Sequence, residues 1–143
     1  ALWAQLEDLV ATHPTIYGTT AAFEPFGFSK KRRAFAPYVF EQGEKLKRSF
    51  LDPPAYDYFT WHWYTNPKKE QHSVWSELYF DEGGGNIPMC TYSVPFHSGS
   101  GARKKFAGVV TADISLDWLV ELVSSIKVSN SGYGFLVSRK GWS

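Results

Sequence analysis

Two carboxylates and a run of aromatic rings are the residues of this chain best suited to chemistry. Asp113 closes "FAGVVTAD", residues 106–113, an otherwise mostly apolar stretch. A carboxylate ending a buried strand must be paired, hydrogen-bonded or near the surface, because an isolated buried charge is costly. Two readings stay open for it. Asp113 accepts hydrogen bonds from a ligand ammonium, or it takes backbone donors where the strand turns into the next helix. Asp81 begins "DEGGGN", residues 81–86, either as a polar group of the same site or as a solvated turn residue. Between residues 59 and 80, "FTWHWYTNPKKEQHSVWSELYF" gathers Trp61, Trp63, Tyr64, Trp75 and Tyr79. These rings do not fall on one regular core element. They suit the walls of a concave site that is mostly apolar with a few placed polar groups.

Other chemistries find little support. The formal net charge is +1, so the balance asks for no nucleic acid partner. The single cysteine, Cys90, excludes an internal disulfide and the usual zinc spacings, and is read as buried packing. His13, His62, His72 and His97 share no metal-binding spacing, and neither a metal nor a cofactor is expected. "DEGGGN" lacks the lysine and the strand-to-helix context of a phosphate-binding loop, and no nucleophile–base pair stands out. Catalysis is therefore not expected. A carbohydrate-binding module and a structural or dimerisation module without a ligand remain as alternatives. The first would be all-β, which the helix after Asp113 opposes.

The elements that must position these residues read as follows. Apolar positions 2, 3, 6, 9 and 10 have helical spacing, and His13-Pro14 ends the helix. Residues 15–23 read as a strand. A loop follows whose basic tip at 30–33 is solvated surface. Residues 38–40 and 46–51 form a hairpin-like pair around Gln42-Gly43. A short helix within 55–64 ends at Asn66-Pro67, and 68–73 is polar loop. Residues 74–80 form a short strand. Residues 87–96 alternate, with Cys90, Tyr92, Val94 and Phe96 on one face and Met89, Thr91 and Ser93 on the other. Residues 106–114 are the strongest strand. Ser115 caps a helix with an apolar stripe at Leu116, Leu119, Val120, Val123 and Ile126, and residues 133–138 form a last strand. At 143 residues the chain is expected to be one domain, 1–143. The fold class is α+β, an antiparallel sheet of about five strands with helices against it.

Three stretches carry a family likeness: "GVVTADISLDWLVELVSSIKVSNSGYGFLVSRKG", "WSELYFDEGGGNIPMCTYSVPF" and "WHWYTNP". Together they resemble the Cache family of extracytoplasmic sensor domains. The resemblance implies a PAS-like sheet with a long N-terminal helix, and a ligand pocket between the sheet and the segment that crosses it. It implies the membrane-distal unit of a bacterial or archaeal receptor anchored in the membrane, such as a sensor histidine kinase or chemoreceptor. A second unit would follow, and the chain reads as a fragment of a longer protein. A homodimer through the N-terminal helix is a further expectation.

In some members the aspartate matching Asp113 holds a ligand amino group. Those that bind amino acids carry an arginine two residues before the Trp-Tyr pair, where this chain has Trp61. Lys68 and Lys69, the nearest cations, lie beyond a proline. Aromatic rings with one or two carboxylates and no arginine favour a cation, since rings attract positive charge through their quadrupole. The expected ligand is a small amine or another small polar molecule. The expected ligand-binding residues are Tyr38, Trp61, Trp63, Tyr64, Trp75, Tyr79, Asp81 and Asp113.

Overall fold

In a computed structural model that describes residues 1–126, the chain forms a mixed helix and sheet structure. Helix α1 spans Leu2–Thr12. Strands β1 (Gly18–Phe23), β2 (Pro37–Gln42) and β3 (Lys45–Phe50) form an antiparallel meander. A 3-10 turn, Tyr58–Thr60, leads into α2, His62–Glu70. Two short strands, β4 (Val74–Trp75) and β5 (Tyr79–Phe80), precede β6 (Pro88–Ser98) and β7 (Lys105–Ser115). Helix α3, Leu116–Ser125, follows directly. Among the described residues the sheet has seven strands in the order β3-β2-β1-β7-β6-β4, with β5 also on β6. The expected strand at 133–138 lies outside the described residues.

The long hairpin β6–β7 returns to the first strand, so β1 and β7 pair mid-sheet, and residues 51–73 cross one face. The other face carries α1. Leu6 and Val10 of α1 are buried against Ala21 and Val39, with Leu2, Trp3, Ile16, Phe23 and Val110 around them. On the crossed face, Ala22, Ala36, Tyr38, Phe40 and Val109 meet Leu51, Tyr56, Tyr58, Trp63 and Tyr64.

Three local expectations need correction. Helix α2 does not stop at Asn66-Pro67 but runs through Pro67 to Glu70. Pro67 is buried, so packing offsets the backbone bond that proline cannot donate, and the left-handed Gln71 closes the helix by donating to Pro67 O at 2.9 Å. The expected strand at 74–80 splits in two. The Ser76 side chain accepts from Thr91 N–H at 2.8 Å, in place of a ladder carbonyl, and the chain detours before β5 rejoins β6. Cys90 is only half-buried. It is on the same face of β6 as Tyr92 and Val94, and the buried face is the polar one, with Met89, Thr91 and Ser93.

Candidate functional site

Strand register decides which side chains can meet. Thr91 pairs with Asp113 and Ser93 with Thr111 across β6–β7. Gly18 pairs with Asp113 across β1–β7, and Thr20 with Tyr38 across β1–β2. Directly paired residues share a face. Tyr38, Thr20, Thr91, Ser93, Thr111 and Asp113 therefore stand together on the crossed face, and all are buried. Among them a tightly filled pocket, without room for a free water, is lined by Thr20, Tyr38, Leu51, Trp63, Tyr79, Asp81, Thr111 and Asp113. It lies far below the roughly 300–1,000 Å³ of typical ligand pockets. Its lining groups bond to one another, so an occupant must part them.

Two carboxylates organise the pocket. Asp113, 4% exposed, accepts from Tyr38 Oη at 2.7 Å and from Thr91 Oγ1 at 2.8 Å. Thr91 gives its only hydroxyl hydrogen to Asp113, so Tyr79 Oη, 2.6 Å away, donates to Thr91 Oγ1. Asp81, 2% exposed, accepts from Tyr56 Oη at 2.6 Å and from Gly85 N–H at 2.8 Å. Trp63 Nε1 donates to the same Tyr56 oxygen at 2.8 Å, which ties α2 to Asp81.

Burial pushes the Asp113 carboxyl up to about 7; the Asp81 charge adds to the rise, and the hydrogen bonds from Tyr38 and Thr91 oppose it. Burial also raises Asp81, against the donors Tyr56 and Gly85. Desolvation, with the nearby carboxylates, raises the Tyr38, Tyr56 and Tyr79 hydroxyls, so these phenols stay protonated donors. Among the described residues, no Lys, Arg or His lines the pocket.

The glycines beside Asp81 serve close approach. A Cβ on Gly84 would collide with the Asp81 carboxylate. One on Gly85 would sit 2.7 Å from Met89 Cε and 2.9 Å from Tyr38 Oη. Across the pocket, a Cβ on Gly18 would lie 2.5 Å from Tyr38 Oη. Small residues thus let two backbone segments close on the tyrosine that holds Asp113.

Of the expected residues, Tyr38, Trp63, Tyr79, Asp81 and Asp113 are brought to one pocket. Trp61 lies behind them, stacked on Tyr56 at 4.7 Å and an interplanar angle of 6°, with Tyr79 6.0 Å away. Tyr64 is buried, but its hydroxyl donates to Glu24 and its ring packs edge-on against Tyr58 and Phe106. Neighbours in a helix diverge by about 100°, so Trp63 and Tyr64 cannot both face the carboxylates. Trp75 stands apart and needs correction as a pocket wall. It is 54% exposed and pairs in register with Tyr92, on the sheet face opposite Thr91.

Tyr56, Thr20, Leu51, Thr91, Thr111 and the Gly84-Gly85 pair went unnoticed as site residues. The two-residue spacing of Thr111 from Asp113, and of Thr91 from Ser93, was the available signal.

The family model described as "Methyl-accepting chemotaxis protein-like, first PDC sensor domain" matches residues 2–121. Methyl-accepting chemotaxis protein PscA of Pseudomonas syringae pv. tomato is 32% identical over 89 residues, 62% of this chain and 13% of that protein. The extracellular domain of a protein described as a histidine kinase, soHK1S-Z6, is 34% identical with a TM-score of 0.74, over 84% of this chain and 44% of that one. A second such domain, from mmHK1S-Z3, is 28% identical with a TM-score of 0.78, over 94% of this chain and 50% of that one. The chain thus spans half or less of each of these relatives. Both solved relatives are extracellular domains, the side of the membrane that the sequence resemblance implied. The matched span covers the α1-backed sheet and both carboxylates, and the chain belongs to the methyl-accepting chemotaxis protein-like, first PDC sensor domain family.

Proposed function

We propose that this chain is the membrane-distal ligand-sensing unit of an extracytoplasmic receptor, a chemoreceptor or sensor histidine kinase, and that its pocket holds a small amine without catalysing a reaction. The observation that carries this is the meeting of two buried carboxylates, Asp81 and Asp113, in one aromatic-walled pocket whose lining, among the described residues, has no cationic side chain. Buried charge of one sign is unfavourable until a counter-charge arrives. An ammonium group supplies that charge, donates to carboxylate oxygens, and gains from the faces of Trp63 and Tyr79.

Binding opens contacts that the unliganded walls make with each other. The ligand therefore shifts the crossing segment between two arrangements in proportion to its differential affinity for them. The relatives' names place such domains in receptors, and this reading gives the shift its role as the signal.

Thermal unfolding of the chain against a panel of amines, amino acids, carboxylates and sugars tests it. An amine at about 100 times its dissociation constant is expected to stabilise the fold by roughly 2.7 kcal/mol, a rise of several degrees in Tm. Asp113→Asn, which keeps the shape and removes the charge, is expected to abolish that rise. Stabilisation by carboxylates or sugars instead of amines overturns the ligand class.

A further inference from the structure

The buried sheet face beneath the crossing segment is graded along the strands. Asp113 and Thr91 stand at one end as register partners, Thr111 and Ser93 follow, and Val109 and Pro95 come after them. The order is charge, hydroxyl, hydrocarbon. The polar groups at the first two steps are satisfied with one exception. Thr91 bonds to Asp113 and Tyr79, Thr20 Oγ1 donates to Pro37 O at 2.7 Å, and Thr111 Oγ1 accepts from Thr20 N–H at 3.2 Å. Among the described residues Ser93 Oγ has no hydrogen-bond partner, although Ser93 is only 1% exposed. A buried hydroxyl left without a partner is unfavourable, and it keeps one donor and two acceptor positions to offer. Its register partner Thr111 lines the pocket that Asp113 closes, and Ser93 stands beside that lining, one strand over.

We propose that Ser93 is a second polar anchor of this site, taking a hydroxyl or carbonyl oxygen that the ligand carries at a fixed distance from its ammonium. The inference rests on the amine reading of Asp113 and narrows it. Asp113 and Ser93 are diagonal neighbours on adjacent strands, about 7–8 Å apart at the backbone. Side chains on one sheet face project side by side, so the two anchoring oxygens, and the ligand nitrogen and oxygen that they hold, stand roughly 5–7 Å apart. An extended chain of three or four carbons spans that distance. The ligand class is thus a primary amine with a terminal hydroxyl or carbonyl group, rather than a plain alkylamine or a quaternary ammonium ion alone.

The test titrates the 143-residue chain calorimetrically with 4-aminobutan-1-ol and its hydrocarbon isostere pentylamine, and repeats both with Ser93→Ala. The expected result is that Ser93→Ala binds the amino alcohol about five- to tenfold more weakly and pentylamine as well as before. The unliganded variant melts no lower than the parent, because it has lost an unsatisfied buried group. Equal weakening of both ligands, or no weakening of either, overturns the Ser93 anchor and leaves the amine reading standing. Failure of the parent to bind either amine overturns the amine reading, and the anchor falls with it.

Discussion

At the scale of single residues, Asp113 is held as an acceptor by two hydroxyls while its surroundings oppose its charge. Removing one donor exposes that tension. Tyr38→Phe keeps the ring stacked on Phe40, 5.2 Å away, and deletes only the bond to Asp113. The variant is expected to lose about 1–3 kcal/mol in urea unfolding at pH 8, and less at pH 5, where Asp113 is protonated and needs fewer donors. A loss equal at both pH values would show that packing alone is at stake. Gly85→Ala, pressed against Met89 and Tyr38, is expected to cost about 1–3 kcal/mol by overpacking. Asp113 was legible in the sequence because a lone acid interrupts an apolar strand. The role of Gly84 and Gly85 was not. Three glycines read as a turn, and in that run only Gly83 needs glycine for its positive φ of 84°. Gly84 is small because the Asp81 carboxylate folds back on it, and Gly85 because Met89 of β6 and Tyr38 of β2 press against it, contacts that the glycine run itself does not record.

Among the elements, the strands and helices that carry the site follow from local signals. Ser115 caps α3 as expected, accepting from Trp118 N–H at 3.1 Å. The two faces of β6 were legible as well, from strict alternation. Which face is inside was not, because the usual rule inverts here: Thr91 and Ser93 go in, while Cys90 and Val94 stay partly exposed. The same parity carries Trp75 away from the pocket. The crossing segment was legible as aromatic, but its fastening was not. Tyr58 Oη donates to Phe23 O at 2.5 Å and accepts from Phe35 N–H at 3.1 Å, so one hydroxyl ties the turn before α2 to β1 and to the following loop. Tyr58→Phe leaves both backbone groups short of a partner. It is expected to cost about 1–3 kcal/mol, with faster amide exchange across residues 51–70 and little change in β6 and β7. Uniform acceleration through the whole sheet would mean that the crossing segment does not open as a unit.

For the molecule as a whole, the buried acids couple stability to pH in a direction opposite to the common one. At the surface, ion pairs join Arg48 to Glu7, Arg32 to Asp52 and Lys68 to Glu24. Among the described residues, the donors to Asp81 and Asp113 are hydroxyls and a backbone amide. The Asp113 carboxyl is raised from an ordinary 3.8 to about 7 by burial, with the Asp81 charge acting the same way. Between those values the folded chain holds more protons than the unfolded one, so unfolding free energy falls as pH rises. The unliganded domain is expected to be most stable near pH 5 and to lose on the order of a few kcal/mol by pH 8. Asp113→Asn is expected to flatten that slope. An ammonium ligand reverses it, because it binds the ionised carboxylate. The affinity for pentylamine, itself a cation throughout this range, is expected to rise between pH 5 and 7 and to level off above. Melting temperatures at pH 5, 6, 7 and 8, with and without pentylamine, measure both slopes. If the unliganded domain gains stability through this window, Asp113 is ionised throughout it. The pocket then carries its charge without a ligand, and the electrostatic case for an amine loses its ground.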